Sequence, residues 1–331
     1  MNRSVTVFGA GSWGTALAQS LARSGNDVCL WCHVPEHARA INQNGYNPEY
    51  LTDYQLSPHI QATCSLEEAS AFSDLWLFVT PTQFLRSLLE RLRPYFRPGI
   101  EAANAAKGME ISSLKQISQI FEEVFPDAAY TVISGPSHAE EAIRDLPLAL
   151  VAASEHPASA MMWQDIFNRE NFRVYTNQDV IGVEVGGAVK NVIAIASGFL
   201  YSMEMGDNAT AAMVTRGLAE VVRLGCALGG KVQTFAGLAG VGDLMVTAYS
   251  RHSRNFRLGE MIGEGLSLDQ AIQKLGQVAE GAYTVKAVKM LSEKIGVDMP
   301  ISEAVWAVLY DGLEPRAAVK RLLSRDPKPE Y

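Results

Sequence analysis

The 331-residue chain has four cysteines, Cys29, Cys32, Cys64 and Cys226. They are too few and too scattered to form a disulfide framework in a chain of this length. There is no excess of basic residues: 28 Lys and Arg stand against 36 Asp and Glu, a formal net charge of −8. Holding nucleic acid or an anionic membrane by overall charge is therefore excluded, and an anionic ligand must meet a local basic site. No run reaches the roughly 18 apolar residues of a membrane span, so no membrane span is expected. No basic-then-apolar leader precedes the β-type sequence at Ser4, and a soluble, cytoplasmic protein is expected. Gly and Pro are not enriched, 48% of residues are apolar and 19% charged, and mean hydropathy is +0.03. Disorder, collagen and low-complexity sequence are excluded. What remains is chain enough for a large core and two domains.

The first half alternates strand and helix patterns. Strands are expected over 4–8, 28–32, 75–79, 100–103, 131–134, 148–152 and 172–175. Helices fit between them, among them 13–24 and 113–124. Strands separated by helices predict a doubly wound, mostly parallel sheet covered on both faces, an α/β fold. After about Asn177 the pattern is helical throughout: 183–200, 209–228, 255–262, 268–274, 282–295, 302–310 and 315–323. The expected organisation is a dinucleotide-binding domain over 1–180 and a helical domain over 181–331, ending in a polar tail at 326–331.

Cys29 and Cys32 have C-x-x-C spacing, but residues three apart in a strand face opposite ways, and zinc needs two further ligands. Buried thiols are expected. His33 and His37 are spaced as helix metal ligands can be, yet no H-E-x-x-H motif accompanies them, so a surface pair and no metal are expected.

Gly9-Ala10-Gly11-Ser12-Trp13-Gly14 fits G-x-G-x-x-G between a strand and a helix, the setting of a dinucleotide site. Gly9 makes the turn, Gly11 lets a pyrophosphate approach, and Gly14 packs helix on strand. A nucleophile elbow around Ser12 leaves Gly9 unexplained. At the end of the second strand, where an acid would hold a ribose hydroxyl, stand Cys32-His33-Val34-Pro35, with no acid before Glu36. NADPH is therefore accepted, with His33 near its 2′-phosphate, and NADH remains possible.

Polar groups gather at strand ends and on the helical half. Lys107 follows the strand at 100–103, and Gly135-Pro136-Ser137-His138 follows that at 131–134. Lys190 is the one cation between Arg173 and Arg216 and lies in a nearly continuous apolar helix. Buried Lys is rare unless paired or functional. It either pairs with Glu184 or another acid, or donates a proton from a desolvated amine. The stretch from Leu244 to Gly259 carries Arg251, Arg254 and Arg257 and no acid. It precedes a helix and follows the glycine-rich approach to Asp243, so it reads as a phosphate site.

Together Gly9 to Ala18, Lys107-Gly108-Met109-Glu110, Gly135-Pro136-Ser137, Gly186 to Asn191 and Gly237 to Asn255 resemble bacterial NAD(P)-dependent glycerol-3-phosphate dehydrogenase. The likeness covers nearly the whole chain. It implies a Rossmann domain, a helical domain, and interconversion of dihydroxyacetone phosphate and sn-glycerol 3-phosphate for phospholipid synthesis. It implies that Lys190 is the catalytic lysine, and that Lys107, Gly135, Ser137, Lys190, Asp243, Ser253, Arg254 and Asn255 bind substrate. Ser12, Trp13, Tyr50, Lys107, Ala139, Arg254, Val278 and Glu280 would touch the cofactor. His33 stands where many members carry Arg, and Thr80-Pro81-Thr82 replaces Val-Pro-Ser. Two other readings share parts of this pattern: a reductase of another hydroxy acid on the same plan, and a nicotinamide-binding redox sensor. An Arg-poor 250–257 would favour the first, and the second has no need of a buried Lys190. Apolar helices suggest a homodimer.

Overall fold

The computed structural model describes residues 3–327, 329 and 330; Lys328 and Tyr331 of the expected polar tail lie outside the described residues. Eight strands form one sheet: β1 (Ser4–Phe8), β2 (Asp27–Trp31), β3 (Ile60–Thr63), β4 (Leu75–Phe78), β5 (Glu101–Asn104), β6 (Ala129–Ser134), β7 (Leu148–Ala153) and β8 (Phe172–Asn177). Their order is β3-β2-β1-β4-β5-β6-β7-β8. All pairs are parallel except β6 with β7. The central strand β4 is a continuous apolar run, Leu75-Trp76-Leu77-Phe78, because helices cover both faces. The helices of this half are α1 (Ser12–Arg23), α2 (Pro35–Asn44), α3 (Leu66–Phe72), α4 (Thr82–Leu92), α5 (Ile117–Val124), α6 (Ala139–Ala142) and α7 (Pro157–Phe167).

Strand β3 was absent from the sequence expectation. It is four residues long at the sheet edge, with only two positions facing the core, so it lacks a strand-like apolar run. The helix expected over 113–124 starts only at Ile117. Leu114 adopts a left-handed conformation (φ 59°), and the Gln119 side chain accepts a hydrogen bond from the Gln116 N–H at 3.0 Å, fixing the later start. Cys29 and Cys32 belong to the hydrophobic clusters on opposite faces of the sheet. Burial pushes both thiols up to about 12.

The last strand ends at Asn177 and helices follow from Val180: α8 (Val180–Ser202), α9 (Gly206–Ala227), α10 (Val232–Phe235), α11 (Asp243–Ala248), α12 (Arg254–Gly263), α13 (Leu268–Leu275), α14 (Glu280–Ile295), α15 (Pro300–Tyr310) and α16 (Pro315–Leu323). A π-helical turn at Leu238–Gly242 leads into α11. The expectation that nothing is long and apolar enough for a membrane is corrected at α8. This helix has 23 residues and an 18-residue stretch of mean hydropathy 1.5, but 94% of that stretch is buried inside the fold. Its neighbours are α9, α11, α12 and α14, so its apolar surface is spent on protein. Helices α8 and α12 nearly touch: a Cβ on Gly198 would lie 2.1 Å from the Phe256 carbonyl oxygen, and one on Gly259 2.0 Å from that of Ile195. This close approach sets the start of α12 beside Lys190.

In the sheet half the turn from β1 to α1 is equally tight. A Cβ on Gly14 would sit 1.8 Å from the Gly9 carbonyl oxygen. Because that atom is backbone, it cannot swing aside. Gly14→Ala should therefore lower the thermal midpoint, at a cost of roughly 1–3 kcal/mol of overpacking. An unchanged midpoint would mean that α1 does not pack on the turn in this way.

Candidate active site

Strand order reverses direction at β1 and β4, and ligands of open α/β sheets bind outside the carboxyl ends of strands at such a point. A cleft opens there, lined from both halves of the chain. Gly9, Gly11, Ser12, Trp13 and Gly14 line one end. Gly11 caps α1, no side chain bonds the first-turn N–H groups, and a Cβ on Gly11 would meet nothing within 4 Å. Backbone donors at a helix start, bare of side chain and facing a cleft, suit a pyrophosphate. His33 and Tyr50 line the same end. The structure corrects the reading of His37 as surface: it also lines the cleft and pairs with Glu49 at 3.2 Å. Glu36, by contrast, pairs outside with Arg39. Among the described residues no group of three or more His, Cys, Asp or Glu is gathered to hold a metal ion.

The other end is built around Asp243, the first residue of α11, which is fully buried. One carboxylate oxygen accepts from Lys190 Nζ and the other from Lys107 Nζ at 2.7 Å. Lys107 Nζ also donates to Ser137 Oγ at 2.9 Å and to the Gly135 carbonyl at 3.0 Å. Lys190 Nζ donates to Thr247 Oγ1 at 2.7 Å. Glu184 is not its partner; that carboxylate accepts instead from Ser118 and the Tyr130 hydroxyl. Lys190 lines the cleft at 6% exposure. Burial and then neighbouring Lys107 pull its amine down against the pull of Asp243, to about 7. A group so poised can both give and take a proton near neutrality.

Between the two ends, Ser253 caps α12 by accepting from the Phe256 N–H at 3.2 Å. Asn255 is fixed by Asn191 at 2.9 Å and by the Gly281 N–H at 2.8 Å. Arg254 projects beside them and makes no hydrogen bond or ion pair with a described residue, so its guanidinium donors remain available to a ligand. Burial lowers its pKa, and Glu280 and Glu140 oppose the fall. Glu280 Oε1 accepts from the Thr82 N–H at 3.1 Å, while its other oxygen is buried without a partner. Burial raises this carboxyl to about 7.

The cleft thus gathers Lys107, Ser137, Ala139, Lys190, Ser253, Arg254, Asn255, Val278 and Glu280 with the cofactor-end residues. Gly135 and Asp243, expected as substrate contacts, do not line it; they hold the lysines from behind. Thr247 is missed from sequence, while Asn191 and His138 are quoted there within their segments but given no cleft role. Thr247 was findable, since it stands four residues after Asp243 and so on one helix face.

A cleft at the switch point, with bare helix-start donors at one end and a buried amine at the other, has the form of a nicotinamide-linked oxidoreductase. Comparison makes this narrower. Residues 4–160 match the family model described as NAD-dependent glycerol-3-phosphate dehydrogenase N-terminus, and residues 179–320 match that of the C-terminus. The chain is 48% identical over 330 residues to glycerol-3-phosphate dehydrogenase [NAD(P)+] 1 of Salinibacter ruber, covering 99% of this chain and 97% of that protein. It is 44% identical over 326 residues to the Bacillus subtilis glycerol-3-phosphate dehydrogenase [NAD(P)+], covering 98% and 94%. The crystal structure of the Coxiella burnetii glycerol-3-phosphate dehydrogenase superimposes with a TM-score of 0.95 at 36% identity, covering 98% of this chain and 99% of that one. The chain belongs to the NAD-dependent glycerol-3-phosphate dehydrogenase family, and is an oxidoreductase acting on a CH–OH group.

Proposed function

We infer that this chain reduces dihydroxyacetone phosphate to sn-glycerol 3-phosphate with NADPH or NADH, supplying the backbone of glycerophospholipids. The observation that carries this reading is Lys190, buried at the cleft and held between Asp243 and Thr247. When bound, the reduced nicotinamide supplies a hydride to the carbonyl carbon. Lys190 then faces the oxygen on which charge develops, stabilises it and delivers its proton. Asp243 and Thr247 fix the lysine's position, and Lys107 holds Asp243 from the other side. Arg254 grips the phosphate with the helix start at Ser253 and Asn255, and this binding energy holds the carbonyl in place. Turnover of dihydroxyacetone phosphate followed at the nicotinamide absorbance tests the assignment, and no substrate-dependent change would contradict it.

Arg254→Ala should weaken both substrate and cofactor, by about 2–3 kcal/mol for a lost charge-assisted contact. Arg257, on the next turn of α12 and outside the cleft lining, should tolerate Ala with little effect. Equal losses at the two positions would mean a general basic face rather than a phosphate site.

A modest preference for NADPH over NADH is expected. His33 supports it, and Glu49, held by His37 at the same end of the cleft, limits it by suiting an unphosphorylated ribose. The ratio of kcat/KM for the two cofactors should fall toward NADH in His33→Ala. A large preference for NADH, or NADPH binding unaffected by that substitution, would contradict the assignment.

We assign cofactor binding to 1–180 and the catalytic and phosphate groups to 181–331, with Arg254, Val278 and Glu280 reaching back to the cofactor. The four free thiols suit a reducing cytoplasm. Exposed Tyr201, Met245 and Tyr249 on the helical half offer apolar surface to a second copy in a homodimer.

A further inference from the structure

The turn after β6 carries a histidine to which nothing above gives a task. His138 lines the cleft between Ser137 and Ala139. Its Nε2 lies 3.1 Å from the Val246 carbonyl oxygen, in the last turn of α11. Its ring packs against that of His252, with centroids 5.5 Å apart. The imidazole therefore bridges the sheet half and the helical half, held on both sides.

A carbonyl can only accept, so Nε2 carries the hydrogen and Nδ1 of the neutral ring is a bare acceptor. Nδ1 has no partner among the described residues and is not sealed from solvent. Burial and nearby Lys190 push the pKa of His138 below its ordinary value, with the Val246 bond opposing, which favours the neutral ring at neutral pH.

The substrate has three groups to place. Its phosphate goes to Arg254 and its carbonyl to Lys190. The remaining terminal hydroxyl is a donor in need of an acceptor. Ser137 Oγ already donates to the Gly135 carbonyl and accepts from Lys107. Thr247 Oγ1 already accepts from Lys190 and donates to the Asp243 carbonyl. Each of these hydroxyls keeps one free lone pair, whereas Nδ1 of His138 beside them has no partner among the described residues.

We propose that His138 is a specificity residue whose Nδ1 accepts the hydrogen bond of the substrate's unphosphorylated terminal hydroxyl. This rests on the substrate inferred above. A site built to bond a hydroxyl discriminates against the analogue lacking it, because its polar group is then left unpaired.

The test compares dihydroxyacetone phosphate with the same ketone phosphate carrying CH3 in place of CH2OH. The readout is the ratio of their kcat/KM values. His138→Gln can keep a donor near Val246 while removing the acceptor at Nδ1. His138→Asn keeps an oxygen near the Nδ1 position while losing the reach to Val246. The ratio should fall by about tenfold in His138→Gln, the effect of one lost neutral hydrogen bond, and be partly retained in His138→Asn. A purely structural role would lower both substrates together and leave the ratio unmoved in both variants, which would overturn the proposal. No turnover of either ketone by the unmodified chain would instead overturn the assignment of substrate, and the proposal with it.

Discussion

Lys190→Met should leave a folded chain that binds NADPH and turns over dihydroxyacetone phosphate about 10²–10⁴-fold more slowly, the loss of a general acid. The loss should be larger to the extent that the ammonium also stabilises the developing oxyanion. Met keeps the aliphatic stem, so packing in α8 survives. Asp243 is not stranded, because Lys107 Nζ remains 2.7 Å from its other oxygen. The proton balance points the same way. Burial holds the Lys190 amine near 7 against an ordinary 10.5. The unfolded chain therefore holds that proton more tightly than the folded one. The resulting penalty on the fold is complete below about pH 7, shrinks as pH rises, and is gone above about 10.5. Removing the amine removes the penalty. Thermal midpoint with cofactor titration, set beside kcat, separates the outcomes. A near-normal kcat would end the catalytic assignment, and a collapsed midpoint would make the lysine chiefly structural.

Asp243→Ala should do what Lys190→Met does not, and damage both stability and rate. The carboxylate is fully buried and stands between two ammonium groups. Its removal leaves them facing each other without compensation. Breaking a buried pair in this way costs about 3–5 kcal/mol when the remaining charge has no escape. Here Lys190 has one, since losing its proton relieves the strain, but a neutral amine cannot serve as the acid. The variant should show a lower thermal midpoint, slower reduction, and a reduction optimum moved to lower pH. Asp243→Asn should show the same signs more mildly, because the amide oxygen can still accept. If reduction stayed fast with its pH dependence unmoved, Asp243 would have no part in setting the lysine.

Much of this was legible in the sequence because the relevant signals are local. The glycine run lies between a strand and a helix, and each of its glycines has a separate steric reason. Lys190 is conspicuous because an apolar helix surrounds it. Its partner was not legible: Glu184 lies nearer in the chain, yet it faces Ser118 and Tyr130, and only the fold brings Asp243 of α11 to the lysine. Strand β3 was missed because an edge strand needs little apolar sequence. Sequence spacing places His37 on the surface because its partner Glu49 comes from a loop after α2. Thr82 and Glu280 meet across 198 residues, a distance that no spacing rule spans.

The most direct test is the pH dependence of both directions in the unmodified protein, followed at the nicotinamide absorbance. Dihydroxyacetone phosphate should drive oxidation of NADPH with formation of an equal amount of sn-glycerol 3-phosphate. The reduction should need Lys190 charged and weaken as pH rises through about 7. Oxidation of sn-glycerol 3-phosphate should need it neutral and strengthen over the same range. Absence of substrate-dependent turnover, or rates in the two directions that follow pH in the same sense, would contradict the assignment of Lys190 as the proton carrier.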